Sequence, residues 1–191
     1  MESQITLQHP SFFLGLSNLY KILAQILLAK MELIPKINTS NIPSYTLDLI
    51  DPIIKSIENQ SPESIKALKE SECRKDLDKS SKILWPKVLE QAYREQGYVI
   101  EENSISPDHL AIQLSYTSQL LYEAANALSW GNKETFINRL IAVHRFLTVH
   151  MMPTISQCQN PVTDKMRDII ITTIAYIRPL IISLLKDRQK L

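Results

Sequence analysis

The chain has 191 residues, which suffice for a single domain with a sizeable hydrophobic core. It contains 21 Lys and Arg residues against 20 Asp and Glu residues, and this balance argues against general binding to nucleic acid or to an anionic membrane. Only three glycines are present. Hairpin-rich and dinucleotide-binding folds are disfavoured because they depend on glycine in their turns and phosphate loops.

The cysteines and the apolar segments indicate a compartment. Cys73 and Cys158 lie far apart and form neither a CxxC pair nor a zinc-binding spacing. A reduced intracellular chain is the simplest interpretation, with a single disulfide left open. The first residues lack the basic and apolar regions of a secretion signal. The longest apolar stretch, 169–185, is interrupted by Arg178 and Pro179. We expect it to be too short and too polar to span a membrane, and we expect a cytoplasmic protein.

The N-terminal half predicts helices separated by prolines. Apolar residues at spacings of three and four indicate a first helix over about 11–33. A second segment, 45–57, contains Pro52 and is interpreted either as two short helices or as one kinked helix. Ser61-Pro62-Glu63 has the residue order of a helix start. The charged stretch 65–82 that follows is interpreted as either a solvated helix or a mobile connection.

The C-terminal half predicts longer helices, each marked by apolar residues on one stripe. They cover 83–96 with Gly97 as the terminator, 107–128, 133–152 ended by Pro153, and 163–186 bent near Pro179. The loop before residue 107 is acidic, and no alternating pattern is long enough for a strand. The sequence therefore predicts an all-α fold, a single-domain bundle of six to seven helices over residues 1–191.

One predicted helix start contains a residue that capping does not explain. In Ser106-Pro107-Asp108-His109, the serine is a suitable N-cap and the proline suits the first turn. The aspartate complements the positive end of the helix dipole. No capping rule requires the histidine. The motif is a plain helix cap in one interpretation and a binding site in the other.

In the second interpretation, Asp108 and His109 project from the helix start beside Glu101 and Glu102. Carboxylates pair with guanidinium groups in a bidentate geometry, so an arginine-bearing peptide is the natural partner. Trp85 in the preceding helix then adds an aromatic surface, whereas in the first interpretation it is a core residue.

No enzyme template is satisfied by the sequence. It contains no phosphate-binding glycine loop, no HExxH zinc motif and no nucleophile elbow. His144 and His150 are six residues apart, which places them on opposite faces of a helix rather than on one metal-facing edge. We therefore expect a protein without catalytic activity, metal or cofactor.

Several short motifs occur in an informative order. They are LYKILA at 19–24, YREQG at 93–97, PDHLAIQLSY at 107–116, FL at 146–147 and HMMP at 150–153. In this order the chain resembles the TorD-like family, whose members are assembly chaperones of molybdopterin-containing oxidoreductases. These oxidoreductases are of the trimethylamine-oxide, dimethyl-sulfoxide and nitrate reductase type. The resemblance covers most of the chain and is strongest from residue 93 to about residue 155.

The resemblance implies a helical cytoplasmic chaperone that binds the twin-arginine signal peptide of a client reductase. Such a chaperone holds the client's catalytic subunit until the molybdenum cofactor is inserted and then releases it for export. Two guanidinium groups followed by an apolar run need carboxylates beside an apolar groove. The peptide-binding residues expected on this basis are Pro107, Asp108, His109, Trp85, Glu101, Glu102 and His150.

Three positions depart from the family's pattern. Gln113 and Ser115 stand where the family commonly has acidic residues, and Thr154 stands where it has a tryptophan. The alternative function is a helical structural or regulatory module that acts by oligomerisation or protein–protein contact without binding a signal peptide. A homodimer is compatible with both functions.

Overall fold

The structure is a computed structural model that describes residues 9–38, 40, 42–100 and 105–188. These residues form helices and contain no strand, which confirms the predicted all-α, single-domain fold. A short π-helix, Leu147–Met151, joins α7 to α8. The α-helices are α1 (Pro10–Lys30), α2 (Ser44–Glu58), α3 (Pro62–Lys66), α4 (Glu70–Cys73), α5 (Lys79–Glu95), α6 (Leu110–Ser129), α7 (Lys133–Phe146), α8 (Met152–Gln157) and α9 (Pro161–Arg188).

Helix α6 lies at the centre of the bundle. Thirteen of its twenty residues are buried, so it is covered on most sides and not only along the predicted stripe. It packs along α1, where the Ser17 hydroxyl donates to the Ser118 carbonyl oxygen at 2.9 Å and the Ser118 hydroxyl donates to the Ser17 carbonyl oxygen at 2.8 Å. Because both side chains are small and satisfy each other, the pair brings the two helices close together and sets their register.

The prolines interrupt the helices less than the sequence predicts. Helix α2 is continuous through Pro52, which selects one helix over two short ones, and α9 is continuous through Pro179. The prediction that Pro153 ends a helix is wrong, because the chain stays helical to Gln157. Pro153 lies in the first turn of α8, directly after the π-helix, where its missing N–H disturbs the helix least.

Helix α5 ends as predicted at a glycine. Gly97 has a φ of +79°, and the N–H of Tyr98 donates to the carbonyl oxygen of Tyr93 at 2.9 Å. This backbone hydrogen bond is typical of a Schellman motif, which requires a left-handed residue. Helix α1 ends in the same motif without a glycine, because Glu32 has a φ of +63° and the N–H of Leu33 donates to the carbonyl oxygen of Leu28 at 3.0 Å.

Two helices are long and apolar enough to cross a membrane when judged by length and composition alone. They are α1 and residues Pro161–Lys186 of α9, whose most apolar windows have mean hydropathies of 1.5 and 1.8. The sequence predicts that the apolar stretch 169–185 is too short and too polar to span a membrane. The helix that contains it is longer than that stretch, and its most apolar window passes the test of length and composition. Core helices of soluble proteins have the same composition, and α1 contributes Phe13, Tyr20, Leu23 and Leu27 to the core.

The two cysteines form a disulfide. Cys73 and Cys158 are 85 residues apart in the chain, and their Cα atoms are 4.5 Å apart. The bond joins the end of α4 to the end of α8, and beside it the N–H of Lys75 donates to the side-chain oxygen of Gln157 at 2.6 Å. The simplest interpretation of the sequence, two reduced cysteines, is therefore wrong, because folding brings together residues that share no sequence spacing.

The left-handed residue at the end of α1 generates a stability prediction. Glu32→Gly should raise the free energy of unfolding by up to about 1 kcal/mol, because glycine adopts a positive φ without steric cost. The reverse change at α5, Gly97→Glu, should lower it by about the same amount. No atom lies within 4 Å of a Cβ built at Gly97, so the backbone alone is tested there. Urea denaturation measures both variants, and a destabilised Glu32→Gly protein would contradict this account of α1.

Candidate functional site

The chain from residue 65 to residue 74, here called the 65–74 segment, packs against the start of α6. The N–H of Leu110 donates to the carbonyl oxygen of Leu68 at 2.8 Å, and the N–H of Glu70 donates to the carbonyl oxygen of Asp108 at 2.9 Å. These two hydrogen bonds form an isolated antiparallel bridge between Lys69 and His109. The segment is not the solvated helix that its charge predicts, because it is anchored by five buried side chains: Ile65, Leu68, Glu70, Ser71 and Cys73.

The histidine that capping rules did not explain is itself the N-cap. Helix α6 begins at Leu110, so the prediction that Ser106 caps a helix starting at Pro107 is wrong. The Nδ1 atom of His109 accepts from the N–H of Ala111 at 3.1 Å, and its Nε2 atom donates to the carbonyl oxygen of Ile65 at 2.8 Å. These two partners fix the neutral tautomer, and burial lowers the pKa of His109 to about 4.

The carboxylate of Asp108 points into the protein. It accepts hydrogen bonds from the backbone N–H of Ser71 at 2.9 Å, from the Ser71 hydroxyl and from the Ser106 hydroxyl. Both Asp108 and His109 are fully buried, which corrects the expectation that they project toward solvent. The turn closed by the N–H of His109 on the carbonyl oxygen of Ser106 directs Asp108 toward α4.

A second buried carboxylate lies one residue from the bridge. Glu70 is fully buried and accepts from the guanidinium of Arg74 at 3.0 Å and from the side-chain amide of Gln113 at 2.7 Å. The Nδ1 atom of His150 is 3.3 Å from the same carboxylate. Because buried charges need such partners, this cluster links the 65–74 segment to α6 and to the π-helix. Here Gln113 acts as a donor.

Trp85 covers this cluster from α5. The guanidinium of Arg74 lies 4.8 Å from the centroid of the Trp85 ring, in a cation–π contact, and the ring centroids of Trp85 and His150 are 6.0 Å apart. Trp85 is partly buried against the hydrophobic core, so it lies between its two predicted roles. Its indole nitrogen is buried without a hydrogen-bond partner.

A row of rings connects this cluster to Pro107. The ring centroids of Phe146 and His150 are 5.0 Å apart, and those of Phe146 and Tyr93 are 5.9 Å apart. The hydroxyl of Tyr93 donates to the carbonyl oxygen of Pro107 at 3.1 Å, and burial raises the pKa of Tyr93 well above its ordinary value. Tyr93 therefore stays protonated and supports the turn before α6.

Five of the seven predicted site residues thus meet around the 65–74 segment: Pro107, Asp108, His109, Trp85 and His150. Glu101 and Glu102 lie outside the described residues. The residues that the sequence prediction missed are Glu70, Ser71, Arg74 and Gln113. Only the spacing of four between Glu70 and Arg74 hinted at a pair, and in a charged stretch that spacing is common.

The outer face of α5 is exposed, and in its N-terminal half three apolar side chains lie beside the exposed Lys87. Only Leu89 and Tyr93 are buried in this helix of 17 residues. The α5 surface, defined here as Ile83, Leu84 and Val88, exposes 69%, 56% and 51% of these three side chains. Grouped exposed apolar side chains mark an interaction surface, and this one lies next to Trp85.

No model of a known protein family matches the chain. Within the described ranges, no group of three or more His, Cys, Asp or Glu side chains is placed to hold a metal ion. The polar groups around the 65–74 segment are hydrogen-bonded and packed within the protein. The α5 surface is the part of this region that is open to a partner.

The buried histidine predicts a dependence of stability on pH. Because the folded pKa of His109 is lowered from 6.5 to about 4, unfolded chains bind the extra proton first. The stability is complete above about pH 6.5 and falls by about 3 kcal/mol as the pH drops toward 4. His109→Asn should keep an N-cap and flatten this loss, as measured by urea denaturation at several pH values.

His9→Asn is the matched control, because His9 is also a helix N-cap but is exposed. It should leave the pH profile of stability unchanged. A His109→Asn protein that loses stability with falling pH as steeply as the wild type would contradict the buried, neutral histidine.

The second stability prediction concerns Asp108. Asp108→Ala should lower the free energy of unfolding by about 3 kcal/mol, because it leaves the donors of Ser71 and Ser106 without their acceptor. Ser106→Ala removes one donor only and should lower it by about 1 kcal/mol. Thermal and urea unfolding measure both. Wild-type stability of Asp108→Ala would contradict the burial of this carboxylate and favour the solvent-facing role.

Proposed function

We propose that this protein is a maturation chaperone that binds the twin-arginine signal peptide of a molybdopterin-containing oxidoreductase. It holds the client until the cofactor is inserted. The proposal is supported by the order of motifs between residues 93 and 153, which resembles that of TorD-like chaperones, and by the all-α fold. The observation that carries the peptide-binding part is the exposed apolar α5 surface.

The α5 surface suits the apolar run of a signal peptide. Leu84 and Val88 are one helical turn apart and therefore share a face, and Ile83 lies beside them across the exposed Lys87. An apolar peptide segment that covers these side chains removes them from water, which is favourable by about 25 cal/mol for each Å² of apolar area buried. Peptides bind helical proteins in this way, with apolar anchors against an apolar helix face.

The two arginines need carboxylates other than Asp108, whose oxygens are occupied within the protein. Asp78 is exposed as the N-cap of α5, and Glu72 is exposed on α4. A hydrogen bond from the backbone N–H of Ser81 lowers the pKa of Asp78 and keeps this carboxylate ionised. In our proposal these two residues pair with the guanidinium groups, together with Glu101 and Glu102.

The other predicted site residues act in this proposal as positioning residues. Asp108 and His109 hold the 65–74 segment, and Glu70 within that segment is paired with His150. Arg74, at the end of the segment, stacks on Trp85 and so orients α5. Their substitution should affect peptide binding through the position of α5, and Leu84 and Val88 should affect it by contact.

The second candidate function is a helical module that acts by self-association. It is supported by a separate stripe of exposed residues on α9. The two functions are compatible, because the α5 surface and the α9 stripe lie on different helices.

Peptide titration tests the proposed function. A synthetic peptide with two adjacent arginines followed by an apolar run should bind, and Leu84→Asp and Val88→Asp should each weaken binding by about tenfold or more. Trp130 is the second of two tryptophans and is exposed, so in a Trp130→Phe background the fluorescence of Trp85 reports binding beside the α5 surface. Added salt should also lower the affinity, because the arginine contacts are between charges.

Leu49→Asp is the matched control. Leu49 lies on α2 and is 54% exposed, against 56% for Leu84, so both substitutions place a charge at an exposed leucine. Leu49→Asp should leave the affinity unchanged. Equal binding by wild type and Leu84→Asp, or no binding of the peptide at all, would overturn the proposal.

A further inference from the structure

One face of α9 is exposed along most of the helix. The opposite face packs into the bundle through Met166, Ile170, Thr173 and Ile177. Among the exposed residues, seven are separated by alternating steps of four and three, and Lys165, Thr172 and Pro179 are exposed beside them. These seven form what we call the α9 stripe: Asp164, Asp168, Ile171, Ala175, Arg178, Ile182 and Leu185.

This spacing is that of a coiled-coil seam. Steps of four and three repeat every seven residues, which matches the alternating positions that face a partner helix in a coiled coil. The stripe extends over about 30 Å of helix at 1.5 Å per residue. Apolar residues occupy most of its central and C-terminal positions, and Ile171, Ile182 and Leu185 are 44%, 45% and 38% exposed. The stripe therefore has the pattern of a helix that lacks its partner.

The charges within the stripe are complementary to those of a second copy that runs antiparallel. If the two-fold axis passes at residue 173, Asp168 of each copy lies opposite Arg178 of the other. The same register places Ile171 opposite Ala175, so that a large apolar side chain meets a small one. In antiparallel coiled coils the two kinds of seam position face each other, and this register satisfies that rule.

The outer layer of this register pairs Asp164 with Ile182. Asp164 has its own partner within the chain, because the guanidinium of Arg167 donates to it at 2.9 Å. A parallel arrangement is disfavoured, since it would place each Arg178 beside its equivalent and each Asp168 beside its equivalent. The charge pattern thus selects one orientation and one register.

We propose that two copies of this chain associate through the α9 stripe, antiparallel, with reciprocal Asp168–Arg178 ion pairs on either side of the apolar centre. A two-fold interface of this kind uses the same surface on both subunits. The inference does not depend on the proposed peptide binding, because α5 is not part of the interface, and it supplies the interface for the second candidate function, self-association.

A lipid surface is the other conceivable occupant of an apolar helix. Asp164, Asp168 and Arg178 lie on the exposed stripe itself, and charged side chains on the lipid-facing side of a helix are unfavourable. In the antiparallel pair, by contrast, Asp168 and Arg178 are neutralised by each other. The second copy therefore fits the stripe better than a bilayer does.

Charge reversal tests the register. Sedimentation equilibrium should show a dimer for the wild type, and Asp168→Arg or Arg178→Asp alone should weaken dimerisation by about tenfold or more because like charges then face each other. The double variant Asp168→Arg/Arg178→Asp should restore the dimer. Arg94→Asp is the control, since it reverses an exposed arginine on α5 that also has an acidic partner, Glu90, and it should leave the dimer intact.

Far-UV circular dichroism shows that each variant is folded before its mass is measured. A wild-type protein that stays monomeric throughout, or single reversals that leave the dimer unchanged, would overturn the proposal. So would a double variant that is no better than either single one. Flotation with phosphatidylcholine vesicles tests whether a lipid surface binds the stripe instead. A wild-type monomer that floats with the vesicles, and an Ile171→Asp variant that does not, would assign the stripe to lipid.

Discussion

The start of α6 depends on hydrogen-bond partners that lie far earlier in the chain. Asp108 accepts from Ser71, 37 residues before it, and His109 donates to Ile65, 44 residues before it. A buried carboxylate is tolerated only when its oxygens are satisfied, so the turn before α6 and the 65–74 segment can form only together. Since α6 is the central helix, the helices that pack on it depend on this contact between the start of α6 and the 65–74 segment.

The same segment carries a second buried carboxylate, that of Glu70. Glu70 binds Arg74, Gln113 and His150, and Arg74 in turn stacks on Trp85. Removing one partner from such a cluster leaves the other charged groups buried without a neutralising partner. The position of α5 is therefore linked to the start of α6 through a continuous set of polar and aromatic contacts. Asp108 and His109 resemble a family's binding motif, but here they help to hold α5 in place and are not part of the α5 surface.

The two surfaces proposed for partners differ in their chemistry. The α5 surface is short and apolar, which suits the apolar part of a peptide. The α9 stripe is long, regular in spacing and carries charges of both signs, which suits a copy of itself. Because they lie on different helices, a dimer joined through α9 leaves both α5 surfaces open. A self-associating chaperone would thus offer a peptide site on each subunit.

Local patterns in the sequence determined the helices. Apolar residues at three- and four-residue spacings predicted α1, α6, α7 and α9, and Gly97 correctly marked the end of α5, because helix periodicity and a positive φ depend on neighbours in the chain. The sequence also drew attention to His109. Its identity as the cap of α6, the burial of Asp108, the Glu70 cluster and the Cys73–Cys158 bond were decided only by tertiary structure. The burial of Asp108, the Glu70 cluster and the disulfide each depend on a partner at least 37 residues away, and the His109 ring that caps α6 is held by Ile65, 44 residues away. For such partners the order of residues along the chain carries no geometric signal.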